Sequence, residues 1–321
     1  MNPPRTPRFI QRHVSDPAAE RAEIVRGLRE HPAHAAPKYF YDKLGSHLFE
    51  AITELPEYYP TRTEAAIFAA HGAAMAEQIG AGATLVDLGA GNCAKATRLF
   101  PLLEPSRYIA VDISVDFLND ALRRVQREYP VLDVLGLGLD FSTTLDLSDH
   151  LGTDERTVFF YPGSSIGNFT PDAALGFLER VRAQSTDGGL LIGVDLVKSS
   201  EVLQAAYADA LGVTGAFNLN ILRQLNRLIG SDFKPEQWEH VGLYNTALSR
   251  VEMHLQARED IQVRWPDGLR SFAAGERLHT ENSCKYTVEG FAALLQRAGY
   301  AAPQHWTDEQ GWFAVFWAPV R

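Results

Sequence analysis

The residues Thr84-Leu85-Val86-Asp87-Leu88-Gly89-Ala90-Gly91-Asn92 carry the clearest indication of the fold in this sequence. An apolar run that ends in an acid and a Gly-x-Gly turn is typical of a buried parallel strand whose carboxyl end faces a ligand. A helical pattern follows at 95–100, and a second apolar run, 108–112, ends in Asp112. Glycines let a backbone approach a nucleoside, and a carboxylate about 20 residues farther on is placed for ribose hydroxyls. The stretch therefore predicts a nucleoside-cofactor site rather than an ordinary α/β turn.

A third strand end distinguishes between cofactor classes. A dinucleotide site prefers a third glycine, and that position holds Ala94, which the Gly/Ala variant of the pattern permits. The run 134–139 leads into Asp140-Phe141, where the acid can accept the adenine amino group and the aromatic ring can cover the base. Together these strand ends resemble the S-adenosylmethionine site of class I methyltransferases. The residues that carry the resemblance are Asp87, Gly89, Gly91, Asp112, Asp140 and Phe141.

That resemblance implies a role for each strand end. The region of the first acid and Gly89 with Gly91 would face the methionine part of S-adenosyl-L-methionine, Asp112 would bind the ribose, and Asp140 with Phe141 would bind the adenine. Lys95 would lie near the methionine carboxylate, although a lysine in a first helical turn is more often only solvated. The cofactor product would be S-adenosyl-L-homocysteine, and no metal ion is implied.

The composition limits the function classes. A chain of 321 residues with 45% hydrophobic and 22% charged residues is typical of a soluble globular protein with one large or two smaller domains. A net charge of −10 and a pI of about 5.5 argue against a nucleic-acid partner. Cys93 and Cys284 give no disulfide framework, and no signal-peptide core or membrane-length apolar run is present. We expect a cytoplasmic monomer with a small-molecule substrate and no membrane or nucleic-acid partner.

The strand and helix patterns predict the fold class. Apolar runs at 84–88, 108–112, 133–139, 157–162 and 189–195 alternate with helical patterns, which indicates a parallel, doubly wound α/β sheet. The C-terminal helix, strand, tight turn and strand resemble the way class I methyltransferases complete a seven-stranded, Rossmann-like sheet with one antiparallel strand. The sequence thus predicts this sheet together with a smaller α+β domain.

The predicted domains follow from where the alternation is interrupted. The methyltransferase domain would contain 61–196 and 287–321, and the substrate-binding domain 15–60 and 197–286, after an irregular lead at 1–14. Within these limits Thr61-x-x-Glu64 predicts a capping box for a helix that ends near Gly80. The runs 251–255 and 261–265 alternate apolar and polar residues across a polar link, and they predict a hairpin.

The loop after the fourth strand should meet the substrate, because ligands of open α/β sheets bind beyond the carboxyl strand ends. It reads Gly163-Ser164-Ser165-Ile166-Gly167-Asn168-Phe169-Thr170-Pro171, without the Asp/Asn-Pro-Pro-aromatic motif of enzymes that methylate base amines. The Asn168 amide can hold an amine or a carboxylate. By itself, a turn asparagine without a ligand would be slightly favoured.

A more specific resemblance covers the chain from about residue 37 to its C-terminus. The chain resembles the histidine-specific Nα-methyltransferases of ergothioneine biosynthesis. The segments that carry this resemblance are 55–64, 163–171, 195–198, 217–220, 251–253 and 281–285. The resemblance implies three successive methyl transfers to free L-histidine, giving Nα,Nα,Nα-trimethyl-L-histidine (hercynine). Two alternatives stay open: methylation of another free amino acid, and a non-catalytic cofactor-binding partner in a pathway.

The same resemblance implies a set of substrate contacts. The candidate catalytic residues are Tyr41, Tyr58 and Asn168. The implied contacts are Tyr58, Asn168 and Tyr207 for the amino and carboxylate groups, and Met253, Glu281 and Ser283 for the imidazole. Glu281 and Ser283 alternate along a strand-like run, so both can point to one face. The glycine loop, Gly-Ala-Gly-Asn-Cys, departs from the family's commoner Gly-Ser-Gly-Thr-Ser/Ala and lacks one hydroxyl near the methionine part.

Overall fold

The computed structural model describes residues 3–12, 16–113, 115–142, 144–152, 155–185 and 187–320. These residues form two compact units. The first unit contains the described residues up to 12, the segment Pro60–Val197 and the residues from Tyr286 onward. The second contains the described residues from 16 to 59 and Lys198–Lys285.

The helices and strands of the described residues are numbered along the chain. The α-helices are α1 Pro17–Arg29, α2 Lys43–Thr53, α3 Tyr59–Ile79, α4 Ala94–Thr97, α5 Phe100–Leu103, α6 Val115–Glu128, α7 Pro171–Ala183, α8 Ser200–Tyr207, α9 Val213–Ile229 and α10 Val288–Arg297. The strands are β1 Arg8–Gln11, β2 Ala33–His34, β3 Thr84–Leu88, β4 Arg107–Asp112, β5 Asp133–Gly138, β6 Thr157–Tyr161, β7 Gly188–Asp195, β8 Trp238–Asn245, β9 Arg250–Ala257, β10 Ile261–Trp265, β11 Gly268–Phe272, β12 Arg277–Cys284, β13 Gln304–Thr307 and β14 Phe313–Pro319.

The first unit is built on one sheet with the strand order β1-β5-β4-β3-β6-β7-β14-β13. The pairs from β5 to β7 are parallel, and β14 runs antiparallel to both β7 and β13. Its central strands are buried on both faces: Val86 and Ile109 belong to one apolar cluster, and Leu85 and Tyr108 to the other. The predicted parallel α/β sheet with one antiparallel strand is confirmed.

The prediction of an irregular lead before a seven-stranded sheet is wrong. Residues 8–11 form β1, which pairs in parallel with β5 and adds an eighth strand. Gly136 and Gly138 make this pairing possible, because a Cβ on Gly136 would lie 2.8 Å from Phe9 Cδ2 and one on Gly138 2.0 Å from Gln11 Oε1. The strand is mostly exposed, so its sequence lacks a buried-strand pattern. Residues 1, 2, 13 and 14 lie outside the described residues.

The second unit contains helices, a sheet of order β2-β12-β9-β8 and a separate pair, β10-β11. The predicted hairpin of 251–255 with 261–265 is wrong, because β9 pairs with β8 and β12 while β10 pairs with β11. The tight link at Pro266-Asp267 before Gly268 joins β10 to β11, and an Asp-Gly step is a strong hairpin signal. Alternation alone identified the strands but not their partners.

The predicted capping box at Thr61 and Glu64 is also wrong. Helix α3 begins at Tyr59, with Pro60 in its first turn, so Thr61 already lies inside the helix. The Glu64 side chain is 1% exposed and bonds to groups outside the helix. Among the helices of the described residues, none combines the length and the apolar character needed to cross a bilayer.

Candidate functional site

The Gly89–Gly91 turn is tied to the end of the neighbouring strand. Gly89 and Gly91 have φ of +72° and +51°, a left-handed conformation that favours glycine. Gly89 N and Ala90 N donate hydrogen bonds to Val111 O over 2.8 and 3.1 Å. Asp112 Oδ2 accepts from Gly91 N over 2.8 Å. The structure thus brings the glycines and Asp112 together at the carboxyl ends of β3 and β4.

The residues after β5 lie beside the same turn. A Cβ on Gly89 would lie 3.6 Å from Phe141 Cζ, so the ring approaches the bare backbone of the turn. Phe141 also packs edge-to-face against Tyr161, with ring centroids 5.8 Å apart. Asp140 accepts a hydrogen bond from Ser142 N over 3.1 Å. An aromatic ring and two carboxylates thus stand at neighbouring strand ends around a glycine turn, and this combination is suited to binding a nucleoside.

Lys95 is held by a buried acid that sequence reasoning misplaced. Its Nζ donates to Glu64 Oε2 over 2.6 Å, and Glu64 Oε1 accepts from Gly163 N over 2.7 Å. Gly193 leaves room for this carboxylate, since a Cβ there would lie 2.0 Å from Glu64 Oε1. Lys95 is therefore anchored beside the turn after β3 rather than only solvated. Glu64 lies three residues before the buried Ile67 of α3, and this spacing could have predicted that Glu64 is buried on the same face of the helix.

Asp87 lies in the core below the turn. It is 1% exposed, and the Tyr108 hydroxyl donates to its Oδ2 over 2.7 Å. Burial raises the Asp87 pKa to about 7, although the Tyr108 hydrogen bond acts in the opposite direction. Leu85, two residues earlier, belongs with Tyr108 to the apolar cluster on this face of the sheet. Asp87 is thus a buried residue bonded to Tyr108, which differs from the ligand-facing position that the resemblance implied for its region.

The three predicted tyrosines of the second unit lie in one row of rings. The ring centroids of Tyr41 and Phe49 are 5.9 Å apart, those of Phe49 and Tyr58 6.2 Å, and those of Tyr58 and Tyr207 6.3 Å. Tyr58 is 9% exposed and Tyr207 8%. Phe49, which joins Tyr41 to Tyr58, was missed. Phe49 lies one helical turn from both Gly45 and Ile52, the buried positions of α2, and this spacing was the available sequence signal.

Tyr207 and Ser283 are bonded directly to each other and to a lysine that sequence reasoning missed. The Tyr207 hydroxyl donates to Ser283 Oγ over 2.8 Å. Lys285 Nζ donates to Ser283 Oγ over 2.7 Å and to the Tyr207 oxygen over 3.1 Å. Lys285 is only 4% exposed. A lysine directly after a buried strand was the sequence signal, but its partner on α8 is 78 residues away.

A β-bulge aims Glu281 and Ser283 at the face that carries Met253. Strand β12 pairs His279 with His254 and then Glu281 with Met253, so Thr280 is the extra residue. Without this bulge the alternation of the strand would turn Glu281 to the opposite face. Thr280 Oγ1 lies 2.8 Å from Asn218 Oδ1 and 3.0 Å from Met253 O, and both oxygens can accept its hydrogen. Asn218 thus connects the 217–220 segment to the bulge.

The Glu281 side chain is almost fully buried. Glu281 is 8% exposed and Met253 2%. Burial raises the Glu281 pKa to about 7, and the nearby charge of Lys285 acts in the opposite direction. A carboxylate in this position changes its charge near neutral pH and is available as a hydrogen-bond acceptor above that value.

The predicted residues thus fall into two sets, one in each unit. In the first unit Asn168 ends a 3₁₀ turn, Ser165–Asn168, that follows β6, and its side chain is half-buried.

The described residues hold no group of three or more His, Cys, Asp or Glu side chains arranged around a metal position. The predicted cofactor residues all lie in the first unit, and the remaining predicted substrate residues are Tyr41, Tyr58, Tyr207, Met253, Glu281 and Ser283 in the second.

Comparison with known proteins agrees with this geometry. Residues 20–320 match the family model described as histidine-specific methyltransferase, SAM-dependent. The chain is 39% identical over 311 residues to histidine N-alpha-methyltransferase of Mycolicibacterium smegmatis, covering 94% of this chain and 96% of that protein. It is 30% identical to ergothioneine biosynthesis protein 1 of Neurospora crassa, over 87% of this chain and 32% of that protein.

A more distant relative has a different substrate in its name. The chain is 25% identical to 4-dimethylallyltryptophan N-methyltransferase of Claviceps purpurea, over 92% of this chain and 93% of that protein. The family match covers nearly the whole chain, including the inserted segments of the second unit. The protein therefore belongs to the family of histidine-specific, S-adenosylmethionine-dependent methyltransferases.

Proposed function

We propose that this protein transfers methyl groups from S-adenosyl-L-methionine to the α-amine of free L-histidine. Three successive transfers give Nα,Nα,Nα-trimethyl-L-histidine (hercynine) for ergothioneine biosynthesis. The observation that carries the proposal is the pair Glu281 and Ser283 on β12, which lie on the same buried face of the sheet as Met253 on the neighbouring strand β9. An acceptor and a hydroxyl two residues apart on a strand match a small ring with two polar atoms.

The residues of the first unit fit the cofactor. We propose that Gly89, Gly91 and Lys95 hold the methionine part, that Asp112 binds the ribose hydroxyls, and that Asp140 with Phe141 holds the adenine. The support is the bare turn backbone next to Phe141 and the position of Asp112 against Gly91. When bound, S-adenosyl-L-methionine supplies a methyl group on a good leaving group, so the protein mainly has to orient the two reactants.

The residues proposed for the amino-acid part are Tyr58, Asn168 and Tyr207, with Tyr41 near the reacting amine. An amine attacks only through its neutral lone pair, so a proton must leave the α-ammonium in every cycle. We propose that water or a tyrosine hydroxyl relays this proton to solvent, because a phenol can accept one hydrogen bond while it donates another. The row of rings that contains Tyr41 and Tyr58 supports this assignment.

Aromatic rings also account for repeated transfer to one nitrogen. Each methylation removes a hydrogen that could be donated, while the ammonium product keeps its charge. The face of an aromatic ring attracts such a cation by about 0.5–2 kcal/mol. The row formed by Tyr41, Phe49, Tyr58 and Tyr207 offers these faces, and this supports a product with three methyl groups.

The two units suggest a division of labour. We propose that the first unit is the S-adenosylmethionine-binding domain and that the second unit is the substrate-binding domain. We also propose a cytoplasmic monomer that works without metal, membrane or nucleic acid, which is compatible with the net charge of −10. A second candidate substrate is another free amino acid, because the relative from Claviceps purpurea is named for a tryptophan derivative.

A time course with S-adenosyl-L-methionine and L-histidine tests the proposed reaction. We expect mass spectrometry to detect histidine with one, two and finally three added methyl groups. Each hercynine formed should be matched by three molecules of S-adenosyl-L-homocysteine, since each transfer consumes one cofactor. Accumulation of a monomethylated end product would contradict the three-step proposal, and an unchanged histidine mass would contradict the substrate itself.

A further inference from the structure

Lys285 is a buried lysine to which the proposed function gives no task. It is 4% exposed and follows the last residue of β12. Its Nζ donates to Ser283 Oγ over 2.7 Å and to the Tyr207 oxygen over 3.1 Å, and it lies 4.9 Å from the centroid of the Tyr207 ring. Burial of an ammonium group is unfavourable unless hydrogen bonds compensate it. These contacts place its charge directly behind Ser283.

The hydrogen bonds determine what Ser283 can offer to a ligand. A serine hydroxyl has two acceptor lone pairs and one hydrogen. Lys285 donates to Ser283 Oγ over 2.7 Å, and the Tyr207 and Ser283 oxygens lie 2.8 Å apart. A phenol is a stronger donor than an aliphatic hydroxyl, and the aliphatic hydroxyl is the stronger acceptor, so the Tyr207 hydrogen fills this contact and both lone pairs of Ser283 are occupied. An ammonium group has no lone pair and can only donate. The Ser283 hydrogen therefore stays available, and Ser283 faces a ligand as a donor.

Glu281 supplies the opposite polarity. It lies two residues earlier on the same face of β12, and an ionised carboxylate can only accept. The pocket therefore combines one donor with one acceptor. A neutral imidazole has one N–H and one bare nitrogen, which matches this pair, whereas imidazolium has two N–H groups. The second N–H of imidazolium would meet an oxygen of Ser283 whose lone pairs are already occupied.

We propose that Lys285 sets the hydrogen-bond polarity of the imidazole pocket, so that the pocket selects the neutral imidazole ring and directs its N–H toward Glu281. The proposal rests on the proposed function, because the ligand is histidine. Lys285 acts through Ser283 and Tyr207, and it is therefore a positioning residue that determines specificity.

The ionisable groups around this pocket are few within the second unit. On the pocket face, β12 contributes Glu281 and α8 contributes Tyr207, next to Tyr58. Strand β9 contributes Val251 and Met253, which do not titrate. Its alternate side chains Arg250, Glu252 and His254 lie on the opposite face, together with Cys284. Strand β8 adds His240 and Tyr244 to this face. His240 Nε2 lies 2.6 Å from Tyr207 O, and burial lowers the His240 pKa below its usual value. Glu281 and the ligand itself are thus the groups whose protonation changes closest to neutral pH.

Histidine binding as a function of pH tests the proposal, with Lys285→Met as the variant. For the wild type, with S-adenosyl-L-homocysteine bound, we expect the affinity to fall on the order of 100-fold from pH 7.5 to 5.5. The reason is that free imidazole, with a pKa of about 6.5, and Glu281, with a pKa of about 7, must both be deprotonated in the complex. In Lys285→Met one lone pair of Ser283 is released, so one of these protons can stay.

The affinity of Lys285→Met for histidine should therefore fall only on the order of tenfold from pH 7.5 to 5.5. With the same pKa values, this is the loss expected when one group, and not two, must be deprotonated in the complex. Calorimetry in buffers with different ionisation heats should show that the variant releases about one proton less on binding histidine. Lys285→Arg keeps the charge and the donors and should retain the steep profile. Parallel profiles for wild type and Lys285→Met, whatever their offset, would overturn the proposal.

Two controls separate this result from other failures. Lys38→Met is the matched control, because Lys38 belongs to the same unit, bonds to Glu23 over 2.7 Å and lies 5.2 Å from the centroid of the Tyr39 ring. It should leave the profile unchanged. An unchanged circular dichroism spectrum and a cooperative melting transition close to that of the wild type show that a variant is folded. A wild-type protein that binds the cofactor but no histidine at any pH would overturn the proposed function instead.

Discussion

Replacing Glu281 by alanine should weaken histidine binding by about 5- to 150-fold, because a buried hydrogen-bond partner left unpaired costs ~1–3 kcal/mol. The loss should lie at the upper end of this range, because Glu281 is a charged acceptor and only 8% exposed. Glu281→Gln should give a smaller loss, because the amide keeps one accepting oxygen. The affinity for S-adenosyl-L-homocysteine should stay the same, because Glu281 belongs to the second unit.

Calorimetry with each ligand separately measures these affinities. Glu236→Ala is a matched control, since it removes an exposed carboxylate from the same unit and should alter neither affinity. Equal losses of histidine and cofactor affinity in Glu281→Ala would show that the imidazole pocket lies elsewhere. The same substitution should narrow the preference for histidine over phenylalanine, because the pocket then no longer contains a group that requires an N–H.

Asp112→Ala should weaken S-adenosyl-L-homocysteine binding on the order of 100-fold or more. Its carboxylate accepts from Gly91 N over 2.8 Å, and we propose that it also accepts from the ribose hydroxyls. Each hydrogen bond to a charged group contributes about 1.5–3 kcal/mol, so the loss of one bond to each of the two ribose hydroxyls reduces the affinity on the order of 100-fold or more. Asp112→Asn should lie between the wild type and the alanine variant, because it removes the charge and keeps one acceptor.

The dissociation constant of S-adenosyl-L-homocysteine is the quantity to measure here. Asp120→Ala provides the control, since it removes an exposed carboxylate from α6 in the same unit. If Asp112→Ala bound S-adenosyl-L-homocysteine with wild-type affinity, the proposal that Asp112 binds the ribose would be wrong, and Asp112 would serve only as a hydrogen-bond partner of the glycine turn. A lower melting temperature with unchanged affinity would support that structural role.

The first unit was largely predictable because its signals are local. The run from Thr84 to Asn92 contains the strand, the turn and the glycines within nine residues, and the acids at 112 and 140 repeat the same strand-end pattern. Parallel strands bring such ends to one edge, so Asp112 and Phe141 lie beside the turn. Strand β1 was not predictable, because it depends on glycines in β5 more than 120 residues away.

The contacts that support the predicted residues depend on distant partners. Glu64 bonds to Gly163, 99 residues away, and Lys285 to Tyr207, 78 residues away. The bulge at Thr280 is fixed by Asn218, so the alternation of β12 alone could not give the orientation of Glu281. The resemblance to the family supplied candidate residues, whereas their hydrogen-bond polarity and packing came only from the fold.

A competition reaction tests whether histidine is the substrate and its α-nitrogen the methylated atom. The protein is incubated with S-adenosyl-L-methionine and an equimolar mixture of the twenty amino acids, and fragment masses locate each added methyl group. We predict that the methyl groups are found on histidine, that they lie on the α-nitrogen, and that they accumulate to three. Preferential methylation of another amino acid, or a methyl group on an imidazole nitrogen, would contradict the account.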